Sequence, residues 1–229
     1  MFQGKRIGAL LLMGGEGRRF GMALPKQFHL LGGKKVYSHA LDTLLAAQLF
    51  DRVVLVCHPS WTDLVCGEVA IVKGGATRQQ SSYQGLIALK KEVDIILIHD
   101  AVRPFVTEQI LRDNVAGAIQ WGAVNTCIPS TDTLVHAPDG GVIASIPKRG
   151  EFFRGQTPQT FQMDWILEGH EKALEARISD ASDDCQLVAR LGRAVRLIAG
   201  SEKNLKITSH LDLLLAEQLV PHLKNFQGI

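Results

Sequence analysis

The sequence predicts an α/β fold: a doubly wound, mostly parallel sheet of the Rossmann-like kind, with a β-hairpin arm protruding from it. Three observations predict it. Ile7–Met13 is an unbroken apolar run, as expected for a strand covered on both faces. Strand-like and helix-like patterns then alternate at short spacing as far as Trp121, the rhythm of a parallel sheet with crossover helices. That rhythm breaks at residues 129–153, where two short β-like runs flank Ala137-Pro138-Asp139-Gly140-Gly141, a strong turn signal.

The elements follow in order. Residues 36–48 show helical spacing through Val36, Ala40, Leu44 and Ala47. Residues 53–57 and 69–72 read as strands, and 81–91 as a helix with Leu86 and Leu89 on its apolar face. Residues 95–98 form a buried strand ending at His99-Asp100. Thr107 is a good N-cap for a helix that runs to Trp121 and is stopped by Gly122. Runs 133–136 and 142–146 make the hairpin, with too few apolar residues to bury itself. Such an arm usually packs on something else, a second subunit being one hypothesis. Residues 164–176 and 183–191 then read as helices, 194–199 as a strand and 210–219 as a closing helix. Without repeats, low-complexity segments or linkers, the simplest parse is one domain over residues 1–229, with the arm at about 129–153.

Bulk properties narrow the function. The chain has 229 residues, 46% of them hydrophobic, which supports a real core and argues against disorder. A formal net charge of +2 gives no global basic field, so neither nucleic acid nor a membrane surface is the expected partner, and local cation clusters must carry any anion binding. No stretch approaches the roughly 20 apolar residues of a membrane span. The N-terminal apolar run ends in Gly14-Gly15 and two arginines with no small-residue cleavage site, so a strand explains it better than an export signal. The four cysteines form no CxxC pair or metal-ligand spacing, and the eight histidines no HExxH. Free thiols in a reducing cytosol are the expectation, and with them a cytoplasmic protein.

Four polar clusters follow strand-like runs, so a doubly wound topology can gather them at one sheet edge. The first runs Gly14-Gly15-Glu16-Gly17-Arg18-Arg19 to Pro25-Lys26. Its glycines let backbone N–H groups approach phosphate oxygens, and Arg19 and Lys26 can neutralise a triphosphate. Both the GxGxxG and the GxxxxGK[ST] patterns are absent, and a plain glycine turn is the alternative. The second, Gly74-Gly75-Ala76-Thr77-Arg78 with Ser81, offers backbone N–H groups at a helix start to a base or ribose, or is an ordinary loop. The third, Asp100-Ala101-Val102-Arg103-Pro104, offers a carboxylate to a magnesium–nucleotide complex and an arginine to a second anion. A surface Asp100–Arg103 pair is the alternative. In the fourth, Asn204-Leu205-Lys206-Ile207-Thr208, a lysine interrupts a strand-like run. It has either an anionic partner or a solvated edge position.

These clusters, with Pro25-Lys26-Gln27, His99-Asp100-Ala101-Val102-Arg103-Pro104 and Thr157-Pro158-Gln159, lie in one order over almost the full length. In this the chain resembles the 2-C-methyl-D-erythritol 4-phosphate cytidylyltransferases, the CTP-using enzymes of non-mevalonate isoprenoid synthesis. The resemblance implies the Rossmann-like nucleotidyltransferase fold, CTP as co-substrate and Mg²⁺ or another divalent cation as cofactor. It implies that Gly14, Gly15, Gly17, Gly75 and Ser81 contact CTP, with Asp100 and Ala101 beside it. Arg19 and Lys26 would stabilise the pentacoordinate phosphorus. Asp100, Arg103, Thr133, Arg149, Thr157 and Lys206 would hold the polyol phosphate, Arg149 and Lys206 aligning it for attack, and any metal ligand would be Asp100, mainly through the triphosphate. The arm becomes a homodimerisation device that carries Thr133 and Arg149 into the partner's site.

Some positions depart from the commoner family pattern. Glu16 sits inside a phosphate loop, Ala76 stands where an acidic residue often follows the paired glycines, and Ser182-Asp183-Asp184 replaces a Thr-Asp-Glu/Asp run that can simply start a helix. The nucleophile of the implied reaction, a phosphate oxygen, is already ionised at neutral pH, which accounts for the lack of any Ser-His-Asp or Cys-His constellation. Ribitol 5-phosphate cytidylyltransferases share these motifs and form the alternative within the enzyme class. A nucleotide-binding regulator without turnover is the alternative outside it.

Overall fold

The structure, a computed structural model, describes residues 1–14 and 24–225. Seven strands form the main sheet: β1 (Ile7–Met13), β4 (Arg52–Cys57), β5 (Ala70–Lys73), β6 (Ile95–Asp100), β7 (Ala123–Pro129), β8 (Phe153–Gln162) and β9 (Arg196–Ala199). Their spatial order is β5-β4-β1-β6-β8-β7-β9, and a small ribbon pairs β2 (Leu30–Leu31) with β3 (Lys34–Lys35). Every pairing in the main sheet is parallel except the two made by β8. The predicted fold class is therefore the observed one.

Helices cover both faces, and the pleat of β1 shows why. Ile7, Ala9, Leu11 and Met13 point to one side. There they pack against α1 (Val36–Ala46) through Tyr37, Ala40 and Leu44, and against α3 (Glu108–Trp121) through Ile110, Leu111 and Val115. Leu10 and Leu12 point to the other side, against α2 (Arg78–Leu89) and α4 (Met163–Glu175), with Cys185 and Val188 of α5 (Cys185–Arg190). A strand buried on both faces needs an unbroken apolar run, and β1 has one. The closing helix α6 (His210–Leu219) packs apart from these, its Ala216 joining Leu31, Val36, Phe105 and Ile207.

Local chemistry sets the helix ends. Thr107 accepts a hydrogen bond from the N–H of Ile110, and Gly122, at φ +87°, ends α3 where a left-handed residue is needed. Ser209 and Asp212 form a reciprocal capping box on α6. Thr77 caps α2, which begins at Arg78, three residues earlier than the apolar pattern suggests.

Three expectations change. The sheet holds β7 and β8, neither of which the apolar pattern reveals. β8 reads Phe-Arg-Gly-Gln-Thr-Pro-Gln-Thr-Phe-Gln, and it is stable inside the sheet because its buried polar groups are paired: Gln159 donates to Asn125 Oδ1, and the Thr126 hydroxyl to the carbonyl of Pro158. The arm is less regular than a two-stranded hairpin, with one antiparallel bridge between His136 and Ser145 around the turn at Gly140. Lys206 lies in an irregular segment rather than a strand, held where the Ile207 N–H donates to the carbonyl of Val102.

Candidate active site

β1, β4 and β6 are parallel neighbours, so their carboxyl ends open on one edge, with Met13 level with Cys57 and Leu12 with Asp100. That edge is where open α/β sheets bind ligands. The four sequence clusters converge on it, although Gly15, Gly17, Arg18 and Arg19 lie outside the described residues. Both flanks of the first cluster are described. Gly14 leaves β1 directly, and Lys26 opens a short 3-10 turn, Lys26–Phe28. The buried Gln27 fastens that turn by donating from Nε2 to the carbonyl of Met13 at 2.9 Å, so Lys26 is tied to the end of β1.

Ser81 joins this loop to the second cluster. Its hydroxyl donates to the Thr77 carbonyl at 2.9 Å and accepts from the Gly75 N–H at 3.2 Å. A Cβ on Gly14 or on Gly74 would come 2.9 Å from that oxygen, so a side chain at either position would have to displace the Ser81 hydroxyl from its hydrogen bonds. The backbone amides here are not all open to a ligand: the Ala76 N–H donates to Gln80 Oε1 at 2.9 Å, and that of Gly75 is taken by Ser81. The expectation that they read a base freely is corrected to that extent.

Asp100 ends β6 and is buried, with Lys206 Nζ 2.7 Å from Oδ2 and Arg78 Nε 3.5 Å from Oδ1. Burial by itself pushes the pKa of this carboxyl up, but Arg78 and Lys206 outweigh it and hold the group well below the ordinary carboxylate range. The alternative of a surface Asp100–Arg103 pair does not hold. Arg103 is itself buried and turns away, donating to the carbonyls of Asn204 at 2.7 Å and Gly155 at 3.5 Å. Asn204 in turn donates from Nδ2 to the carbonyl of Thr157, which binds the Lys206 segment to β8. Ala101, fully buried, donates its N–H to Leu12 and locks the end of β6 to β1.

Beneath Asp100, Thr157 and His99 form a closed chain. The Asp100 N–H donates to the Thr157 hydroxyl at 3.1 Å, the hydroxyl donates to His99 Nδ1 at 3.0 Å, and His99 Nε2–H donates to the Arg103 carbonyl at 3.1 Å. This network assigns the proton to Nε2. Burial lowers the imidazole pKa to about 4, so His99 is neutral at pH 7 with both ring nitrogens committed. Thr157, expected to touch substrate, makes its bonds inward and supports Asp100 from below.

Two charged residues at this edge were not singled out by sequence for a role: Arg78 and Asp184. Arg78 Nη1 lies 2.7 Å from Asp184 Oδ2 while its Nε faces Asp100, so it spans both carboxylates. Asp183 caps α5, accepting from the Gln186 N–H at 3.0 Å, whereas Asp184 makes no capping bond and turns to Arg78. Two consecutive aspartates where one cap suffices were the available signal. Thr133 and Arg149 sit on the exposed arm, Arg149 donating to the Thr131 carbonyl, and no described interaction joins either of them to Asp100 or Lys206. Among the described residues no group of three or more His, Cys, Asp or Glu could cage a metal ion, and Asp100 already faces two cations. The donors among the described residues do not fit a protein-held ion. Among the described residues, too, no helix is long and apolar enough to cross a membrane.

A doubly wound sheet, with a glycine- and arginine-rich sequence following β1 and the buried Asp100 between Lys206 and Arg78 at its carboxyl edge, suits a nucleotidyltransferase, and the comparisons place the chain among CTP-dependent cytidylyltransferases. The chain belongs to the 2-C-methyl-D-erythritol 4-phosphate cytidylyltransferase family, whose sequence model matches residues 7–222. It is 32% identical to the ribitol-5-phosphate cytidylyltransferase of Lactiplantibacillus plantarum, over 93% of this chain and 98% of that one. It is 34% identical to the bifunctional enzyme IspD/IspF of Chelativorans sp., over 93% of this chain but 55% of that longer one. The crystal structure of 4-diphosphocytidyl-2C-methyl-D-erythritol synthase from Anaerococcus prevotii superposes with a TM-score of 0.84 at 30% identity, covering 96% of this chain and all of that one.

Proposed function

We propose that the chain transfers CMP from CTP to 2-C-methyl-D-erythritol 4-phosphate, giving the CDP-linked polyol and pyrophosphate, a step in making isoprenoid precursors. The observation that carries this reading is the match of that family's model over residues 7–222. The acceptor's phosphate oxygen attacks the α-phosphorus of CTP, a new P–O bond forms there, and the bond to the bridging oxygen of the β-phosphate breaks to release pyrophosphate. The attacking oxygen carries its charge already, so no base is needed, which fits the sealed His99 beside the site. Gly14, Gly15, Gly17, Gly75, Ser81 and Ala101 line the nucleotide side, and Arg19 and Lys26 spread charge from the α-phosphate and leaving pyrophosphate. Asp100, Arg103 and Lys206 take the acceptor, joined by Thr133 and Arg149 from a partner's arm. Magnesium, on this reading, arrives on the triphosphate as part of the substrate. The protein acts as a cytoplasmic homodimer and without nucleic acid.

A second reading has a specific observation behind it. The ribitol-5-phosphate cytidylyltransferase is matched nearly end to end, and the two acceptors have similar charge and hydroxyl content. Pyrophosphate release from CTP, measured side by side with the two polyol phosphates, decides between them. The expected outcome is a kcat/KM at least tenfold higher for the methylerythritol phosphate. The reverse preference would replace this reading with the ribitol one, and no release with either would remove both.

A further inference from the structure

Arg78 is poorly satisfied for an arginine between two carboxylates. Its hydrogen bond runs from Nη1 to Asp184 at 2.7 Å. Its Nη2 is buried without a partner, and its Nε stops 3.5 Å short of Asp100 Oδ1. A guanidinium is a rigid fork that gains most from bidentate contact with one carboxylate. Moving toward Asp100 would engage Nε and Nη2 together. What opposes that movement is Asp184, which is 1% exposed and is fixed from behind: His170 Nε2–H donates to its Oδ1 at 2.9 Å, and its own backbone N–H donates to Gln159 Oε1 at 3.1 Å. His170 is equally buried and stacks on Tyr83, with ring centroids 5.6 Å apart. Asp184 therefore cannot follow Arg78 toward the site. On the far side, Lys206 occupies Asp100 Oδ2 at 2.7 Å, so Oδ1 is the oxygen that Arg78 would cover.

We propose that Asp184, seated by His170 and Gln159, holds Arg78 back from Asp100 and so keeps one Asp100 oxygen open to a hydroxyl of the acceptor polyol. Asp184 and Arg78 are then positioning residues, acting on the acceptor through Asp100. The inference rests on the reading of Asp100 as an acceptor ligand. It predicts a defect confined to one substrate, because the nucleotide side at Gly14, Gly75 and Ser81 is held by separate hydrogen bonds.

Steady-state kinetics on the full-length protein test it. Asp184→Asn keeps the shape and removes the charge; the KM for the polyol phosphate should rise about tenfold, with the KM for CTP within twofold of the parent. Arg78→Gln combined with Asp184→Asn should be no worse than the worse single variant, since both act through one contact. Equal rises in both KM values, or single-variant effects that multiply, would show a merely structural role and overturn the proposal. If circular dichroism shows that Asp184→Asn does not fold, Arg78→Gln carries the test. With no guanidinium to advance on Asp100, the acceptor KM should stay within threefold of the parent, and a tenfold rise overturns the proposal. Asp100→Asn separates the two levels. An unchanged acceptor KM there removes the reading of Asp100, and this inference with it. A raised one, with a parental value for Asp184→Asn, removes this inference alone.

Discussion

His99 shows how much one buried side chain can contribute at this edge. Its pKa falls from 6.5 to about 4 because burial penalises the imidazolium, so the unfolded chain binds a proton there that the folded chain does not. Stability from this group is fully present above about pH 6.5 and is lost as pH falls toward 4, by about 3 kcal/mol in all for a shift of this size. The lowered carboxyls of Asp100 and Asp184 act in a separate, more acidic window, below about pH 4, where protonation removes their pairing. Urea midpoints between pH 7.5 and 4.5 should therefore decline in the parent. In His99→Gln the decline over that interval should be shallower by the His99 share. An equal slope would show that the histidine is not the group titrating. His99 also marks the limit of motif reading. The sequence places it beside Asp100, but that it is sealed and not a base follows from Thr157 and Arg103 closing over its two nitrogens.

Among the elements, the start of α2 links fold to site most tightly. Thr77 accepts from the Gln80 N–H, Gln80 holds Ala76, and Ser81 holds Gly75, so the turn and the helix cap are one hydrogen-bonded unit. A Cβ at Gly75 would fall 2.4 Å from the Gln80 Cβ, which stands on the helix itself and cannot swing aside. Gly75→Ala should therefore cost about 1–3 kcal/mol through overpacking and raise the KM for CTP about tenfold, read by thermal melting and CTP saturation. A parental CTP KM would place the nucleotide elsewhere. The same scale shows which elements were legible. β1, α3 and α6 match their expected bounds because each carries a period, a cap or a stop in its own residues. β8 was not legible, since Gln156, Thr157, Gln159 and Thr160 look like loop until partners across the sheet satisfy them. Of the candidate site residues, Gly14, Gly75, Ser81, Asp100, Arg103 and Lys206 lie together at one sheet edge, as the strand pattern implied. Arg78 and Asp184 were passed over because 106 residues separate them and nothing local pairs them.

For the molecule as a whole, the arm is the segment on which the proposed homodimer depends. Val135, Val142, Ile143 and Ile146 are each more than half exposed on a segment with one bridge to hold it, so water meets apolar surface that a second copy would cover. A solution mass of twice the 25.1 kDa chain is expected from sedimentation. Val142→Asp with Ile143→Asp should shift the protein to monomer and lower turnover, since Thr133 and Arg149 would no longer reach the neighbouring site. A mutant that stays dimeric, or a monomer with full activity, would refute the arm's role. The sequence by itself determined the fold class and the ends of α3 and α6, because apolar periods, caps and turn residues act within a few positions of each other. Only the tertiary structure decided that Asp100 is buried between Lys206 and Arg78, that Arg103 turns to carbonyl groups, and that Asp184 pairs with Arg78. Those depend on which strands lie side by side, and burial strengthens a charge pair between residues that the chain keeps a hundred positions apart.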